Sequence, residues 1–278
     1  MSLLRRAAVA GSWYPGTRDA IRLEVDGYLA GAGIAPPPGR LVALVSPHAG
    51  LRYSGPVAAY GYSLLRGRAD LTVVLVGPSH HVGFDGAAVY ARGAWETPLG
   101  RAAVDEEVAA AVLGAAEPLV FADERVHRDE HSLEMQMPFL QRVVPSLRIV
   151  PILMGSQSRN EIEALAGALS RALAGREVVL VASSDLSHYE PAPVANRLDA
   201  IVVDQVARSD DGALLERLEA RRNVACGGGP IVAVMRAARA LGADHAAVLR
   251  YADSGDAGEH DKSRVVGYLS AALLARAS

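Results

Sequence analysis

Four short stretches of this sequence place imidazole, carboxylate or thiol groups where chemistry could be done. SPHAG (46–50) presents His48, GPSHH (77–81) presents His80 and His81, SSDLSHY (183–189) presents Asp185 and His188, and NVACGGGP (223–230) presents Cys226. The first three each follow an aliphatic run: LVALV, LTVVLV and EVVLVAS. Runs of this kind read as strands buried on both faces, and in open α/β sheets ligands bind beyond the carboxyl ends of such strands. Three strand ends are thus expected to aim imidazoles at one edge.

His48 and His80 each leave from a Ser/Pro turn, a stiff mount suited to a metal ligand or a base. Taken singly, either ring could instead satisfy a loop carbonyl. His81 should point away from His80 if the chain is still extended, which makes it a supporting or substrate contact. Asp185 stands three residues before His188, close enough to orient the ring as a general acid/base couple; an N-cap of the next helix is the other reading of Asp185. Cys226 precedes a glycine run and Pro230 at an expected helix start, where the dipole would stabilise the thiolate needed by a metal ligand or a nucleophile. A small buried hydrophobe is the ordinary reading of a lone cysteine. In DEHSLEMQMPFL, an expected helix over 131–143 would put His131 and Glu134 on one face, as supporting contacts or as a surface pair. Tyr53, in LRYSG, could face the pocket beyond His48. His127, His245 and His260 have no comparable context and read as structural.

The elements that must position these groups alternate. Strands are expected over 41–45, 71–76, 147–154, 177–183, 246–252 and 265–274, and helices over 17–31, 55–66, 104–115, 131–143, 159–174, 193–208 and 230–241. This pattern is that of an α/β domain with its sheet covered on both faces. The only linker-like tract, PPPG at 36–39, lies too early to divide two domains, so residues 1–278 read as one. With 28 Lys+Arg against 31 Asp+Glu and a net charge of −3, no basic surface for nucleic acid or anionic membrane is expected. No apolar stretch approaches the roughly 20 residues of a membrane helix, and a single cysteine excludes an intrachain disulfide. A cytoplasmic protein with a small-molecule partner is the expectation.

Together, SPHAG with its following YSG, GPSHH, DEHSLEMQMPFL, SSDLSHY and CGGGP resemble the Memo-like protein family, whose bacterial and archaeal members are labelled AmmeMemoRadiSam system protein B. The resemblance runs from AGSWYPG (10–16) to VVGY (265–268). It implies a fold similar to the class III, non-haem iron extradiol dioxygenases: one α/β domain, a central mixed and largely parallel sheet, and a metal pocket at one edge. It further implies His48, His80 and Cys226 as metal ligands, and His188 with Asp185 in proton transfer. A thiolate where those dioxygenases use a carboxylate favours Fe(II), Cu or Zn over Mg, so ring cleavage is not inherited with the fold. Redox or oxygen-dependent chemistry on a small substrate is the leading expectation. A metal-independent Cys226–His188–Asp185 hydrolase is the second. A binding module using Arg52 and the Arg221–Arg222 pair is the third. The family label implies, by association, AMMECR1-type and radical-SAM partners.

Overall fold

The computed structural model describes residues 3–116, 118–220, 224–257 and 261–276; Arg221, Arg222 and His260 lie outside them. Its centre is four parallel strands, β8 (Ser146–Met154), β3 (Asp70–Pro78), β9 (Val178–Ser183) and β2 (Arg40–Ser46), in that order across the sheet. After its first residue β3 is buried throughout. The absence of apolar/polar alternation is what a strand covered on both faces requires. Beyond β2 the sheet turns antiparallel through β12 (Val265–Ala275), which also pairs with β11 (His245–Asp253) and β10 (His188–Glu190). Short strands complete the other side: β1 (Leu4–Arg5), β5 (Ala94–Thr97) and β6 (Gly100–Val104) extend from β8, while β4 (Ala87–Val89) pairs with β8 and with β7 (Val120–Ala122). The α/β class and the mixed sheet with a parallel core agree with the sequence reading.

Two groups of helices cover this 12-stranded sheet. In one, α1 (Arg18–Gly31), α2 (Leu51–Ser63) and α4 (Met137–Val143) pack on one another, and α2 lies against β2, β11 and β12. In the other, α5 (Arg159–Ala172) joins α3 (Glu106–Gly114) and α8 (Gly228–Ala240), with α8 against β2, β3 and β9. α6 (Ala192–Ala207) and α7 (Asp211–Ala220) close the β11–β12 side. Among the described residues no helix is long and apolar enough to cross a membrane.

Two helix expectations require correction. The span 131–143 is not one helix: a 3₁₀ turn occupies Glu134–Gln136 and α4 begins at Met137, with Pro138 in its first turn. The N–H groups of His131 and Ser132 are drawn off to the Glu130 carboxylate, and Pro138 has no N–H to give, so the first full helical turn forms only there. α2 begins at Leu51 rather than 55, because Leu51 N–H is taken by the carbonyl of Trp13 and the chain is already turning.

Glu134, expected on a pocket-facing helix surface with His131, faces the N-terminal segment instead. Its carboxylate receives the Arg5 guanidinium (2.5 Å), the Tyr14 hydroxyl (2.6 Å) and the N–H groups of Ala8 and Val9. Arg5 is itself buried, lies 4.4 Å over the Trp95 ring, and donates to the carbonyls of His127 and Glu130. A buried charge needs this saturation of donors and acceptors, because an unpaired one is costly. Arg5→Met should therefore lower stability by about 3–5 kcal/mol, read from urea denaturation; an unchanged midpoint would show that the pair is dispensable.

His127 is structural, as expected. It is fully buried, donates from Nε2 to the Ala88 carbonyl, and burial lowers it to about 3. Since its folded value lies below the unfolded value of roughly 6.5, folding excludes a proton, and its contribution falls as pH drops below the unfolded value. Between pH 7.5 and 5 this should remove about 2 kcal/mol from the wild type. His127→Gln, which retains a donor, should lack that part of the slope when stability is measured at both pH values.

Candidate metal centre

The carboxyl ends of β2, β3 and β9 meet at one edge of the sheet, and the loop before α8 reaches the same point. Ligand atoms of His48, His80 and Cys226 lie within 4.8 Å of one another. The Cys226 sulfur is 3.3 Å from His48 Nε2. Metal–nitrogen and metal–sulfur bonds of roughly 2.0–2.1 and 2.3 Å at a tetrahedral angle would separate the two atoms by about 3.5 Å.

The hydrogen bonds around each ring determine its tautomer. Ser183 Oγ donates to the Ser132 carbonyl (2.7 Å), so toward His48 Nδ1 (2.8 Å) it must accept. It also accepts from Gln136 Nε2, whose orientation follows from its bond to the Pro47 carbonyl and from the Tyr62 hydroxyl on its Oε1. His48 therefore carries its proton on Nδ1 and presents the Nε2 lone pair to the sulfur. His80 Nδ1 meets Glu130 Oε1 at 3.0 Å, which leaves its Nε2 free in the same way. A carboxylate or hydroxyl behind an imidazole is the usual arrangement around a metal-ligating histidine. Burial, followed by the neighbouring rings of His80 and His131, holds His48 well below its ordinary range, in the neutral form a ligand requires.

Glu130, within DEHSLEMQMPFL, has no role in the sequence reading, yet it is the carboxylate that organises one arm of the centre. Besides His80 Nδ1 it accepts the N–H groups of His80, His131 and Ser132. Burial alone would raise its carboxyl, but the bonds and charge of His80 and the Ser132 N–H outweigh burial and hold it ionised far below the usual range. The only signal in the sequence was an acidic residue beside a histidine, which is common on exposed turns.

Cys226 departs from expectation. It does precede the first turn of α8, yet burial, followed by the negative charge of Asp185, pushes its thiol far up rather than down. The sulfur accepts from Asp185 N–H at 3.3 Å, and this bond lowers the thiol by less than burial and the Asp185 charge raise it. A neighbouring cation is what this thiol needs in order to ionise, and a bound metal supplies one. A neutral His48 with its Nε2 lone pair turned to the sulfur, the Nε2 of His80 and a thiol that a nearby cation would help to ionise fit a metal of borderline or soft character.

The predicted couple of Asp185 and His188 is arranged differently from expectation. Asp185 Oδ1 accepts the N–H groups of His48 (2.8 Å) and Ala49 (3.3 Å), and His188 Nδ1 donates to the Leu186 carbonyl (2.8 Å). Asp185 thus fixes the His48 loop, and a backbone carbonyl orients His188, leaving Nε2 of that ring able to accept a proton. Burial raises the Asp185 carboxyl above the ordinary carboxylate range. His48, His80, Asp185, His188 and Tyr53 all line one cleft of about 520 Å³. His131 lines it as well, stacked on His80 with ring centroids 4.6 Å apart, and burial lowers it to about 4. His81 is exposed, and its ring meets the edge of His131 at 5.7 Å. Trp13, which the sequence analysis noted only within AGSWYPG, covers His131 at 4.2 Å and forms a wall of the cleft. Arg52 lies over the Tyr53 ring at the cleft margin.

The raised thiol yields a direct expectation. In metal-free protein at pH 8, Cys226 should alkylate with iodoacetamide far more slowly than a free thiol of ordinary pKa near 8.5. Fast, selective modification would instead reveal a stabilised thiolate.

Comparison with known proteins places these residues in a wider group. The chain matches the Memo-like protein family over residues 5–272. It is 36% identical over 275 residues to a MEMO1 family protein of Methanothermobacter thermautotrophicus, covering 96% of this chain and 99% of that one. It is 39% identical over 268 residues to a MEMO1 family protein of Methanosarcina mazei, covering 95% and 97%. Among solved structures, an uncharacterised protein of Escherichia coli K12 superimposes with a TM-score of 0.56 at 16% identity, covering 84% of this chain and all of that one, a likeness of fold. By sequence along nearly its whole length, the chain belongs to the Memo-like protein family.

Proposed function

We propose that His48, His80 and Cys226 hold one metal ion, redox-active iron(II) foremost with copper or zinc as the other fitting ions, and that the protein acts on a small substrate in the adjoining cleft. The observation that carries this reading is the gathering of ligand atoms of His48, His80 and Cys226 within 4.8 Å of one another, with the sulfur 3.3 Å from His48 Nε2. When bound, such an ion would supply Lewis acidity and, for iron or copper, electron transfer to or from a coordinated group.

The remaining steps fall to the chain's own groups. The cleft of about 520 Å³ admits a molecule of modest size. Trp13 and Tyr53 offer apolar faces to the cleft, at which His48 is buried while His80 stays open to solvent. His188, with its proton held on Nδ1 by the Leu186 carbonyl, takes a proton at Nε2 and can return it. Asp185 holds the His48 loop by accepting the N–H groups of His48 and Ala49, with its carboxyl raised by burial. AMMECR1-type and radical-SAM partners and a cytoplasmic setting belong to the same proposal, supported by the family label and by the absence of a spanning helix among the described residues.

A metal-independent hydrolase is less well supported. The ring facing the sulfur is that of His48, the Asp185 carboxylate is bonded to the 48–49 backbone, and the thiol is raised, each the reverse of an activated Cys–His–Asp arrangement.

The test is anaerobic reconstitution of the wild type, Cys226→Ala and His188→Ala with Fe(II), Cu(I) or Zn(II), with bound metal counted by mass spectrometry. About one ion per chain is expected in the wild type and in His188→Ala, and a sharp loss in Cys226→Ala. Equal occupancy in a folded Cys226→Ala protein would overturn the ligand assignment.

A further inference from the structure

The loop between β8 and α5 carries Gln157, which none of the chemistry above employs. Its φ of 55° lies in the left-handed region, where a residue with a Cβ is held only by its surroundings. Two hydrogen bonds supply that hold. Its Nε2 donates to the Cys226 carbonyl at 2.9 Å, and its Oε1 accepts the Gly229 N–H at 2.9 Å. One carboxamide therefore grips both ends of the Cys-Gly-Gly-Gly turn. The close approach excludes a side chain at position 229, where a Cβ would stand 2.9 Å from both the Gln157 Cβ and its Oε1.

The remaining supports of this turn act from the opposite side. Cys226 N–H donates to the Asp185 carbonyl at 3.2 Å, and Gly227 N–H donates to Ser184 Oγ at 2.9 Å. Away from His48, Cys226 borders a separate cleft of about 380 Å³, lined by Gln157 and by Leu215 and Leu218 of α7. On that side the turn is held by the Gln157 carboxamide through the backbone and by Leu218, which packs against Gly228. Its own loop is anchored in turn by Glu161, buried, which accepts from Ser156 Oγ, Ser158 N–H and Gly86 N–H.

We infer that Gln157 is a positioning residue of the metal centre, setting where the Cys226 sulfur stands relative to His48 and His80. This inference rests on the metal reading proposed above. The strained backbone follows from it: the left-handed conformation aims the carboxamide across the turn, and the strain is retained because both hydrogen bonds need that direction.

The test uses Co(II) as probe, because a thiolate bound to cobalt gives a charge-transfer absorption that reports on the metal–sulfur bond itself. The wild type is compared with Gln157→Gly, which keeps the left-handed backbone without strain, and with Gln157→Met, which keeps the volume without hydrogen bonds. Folding is checked by circular dichroism, and the reading is taken from whichever variant folds. The expected result is a wild-type charge-transfer band that shifts or weakens in the variants, with cobalt affinity lowered roughly 10–100-fold. A variant with the wild-type band, whether or not its affinity changes, would overturn the role assigned to Gln157. A wild type that binds no cobalt, or binds it without the band, would overturn the metal reading itself and this inference with it.

Discussion

A carboxylate removed from water must be met by donors on every side, and the Glu130 side chain is met by His80 N–H, His80 Nδ1–H, His131 N–H and Ser132 N–H. Much of the site depends on this constraint. The end of β3 and the 130–136 turn are far apart in sequence, and Glu130 fastens one to the other. The same turn delivers Gln136 to Ser183 and thereby sets the His48 tautomer, while its Glu134 secures the N-terminal segment that carries Trp13. An ionised group that cannot be left unpaired thus determines which neighbours are admitted.

The device recurs. Asp185 accepts the backbone N–H of His48, and Asp199, buried in α6, accepts the N–H of Ser187 immediately before His188. Each histidine-bearing strand end is held through its main chain by a buried carboxylate from another segment. Fastening the backbone leaves the ring nitrogens available, which is the compromise a site needs if its ligands are to be rigid and still vacant on one side. Gly267 shows how tightly this is done: a Cβ there would stand 1.9 Å from the Asp199 carboxylate.

What could be read from the residues alone follows physical scale. Long aliphatic runs such as LTVVLV announced the central strands, and the helices of α5 and α6 stood out by their periodicity, because burial on this scale is a property of the local sequence. Convergence of His48, His80 and His188 was legible because strand ends in α/β sheets share an edge, whereas Cys226, in the loop before α8, was joined to them only by the family resemblance. Pairing was not. The couple expected between Asp185 and His188 rested on a spacing of three residues, but the carboxylate is taken by a loop 137 residues earlier, and no local rule reports that competition. Strands of two to five residues such as β1, β5 and β7 owe their existence to partners rather than to propensity. The ten-residue α7, DGALLERLEA, was passed over because its short apolar stripe becomes meaningful only against α8. The thiolate expected at the start of α8 failed because desolvation and the Asp185 charge outweigh a terminal dipole.

His48 and Cys226 meet across 178 residues of chain, and Arg5 and Glu134 across 129. During synthesis the imidazole-bearing strands emerge long before the thiol, and no fragment ending ahead of Cys226 can present the completed ligand set. Contacts of such long reach form slowly, since the loops they close must be ordered first. The nascent chain therefore passes through a stage in which two histidines are available without their sulfur partner. The grouping of these three side chains is accordingly a property of the finished fold, acquired only when the last third of the polypeptide has docked.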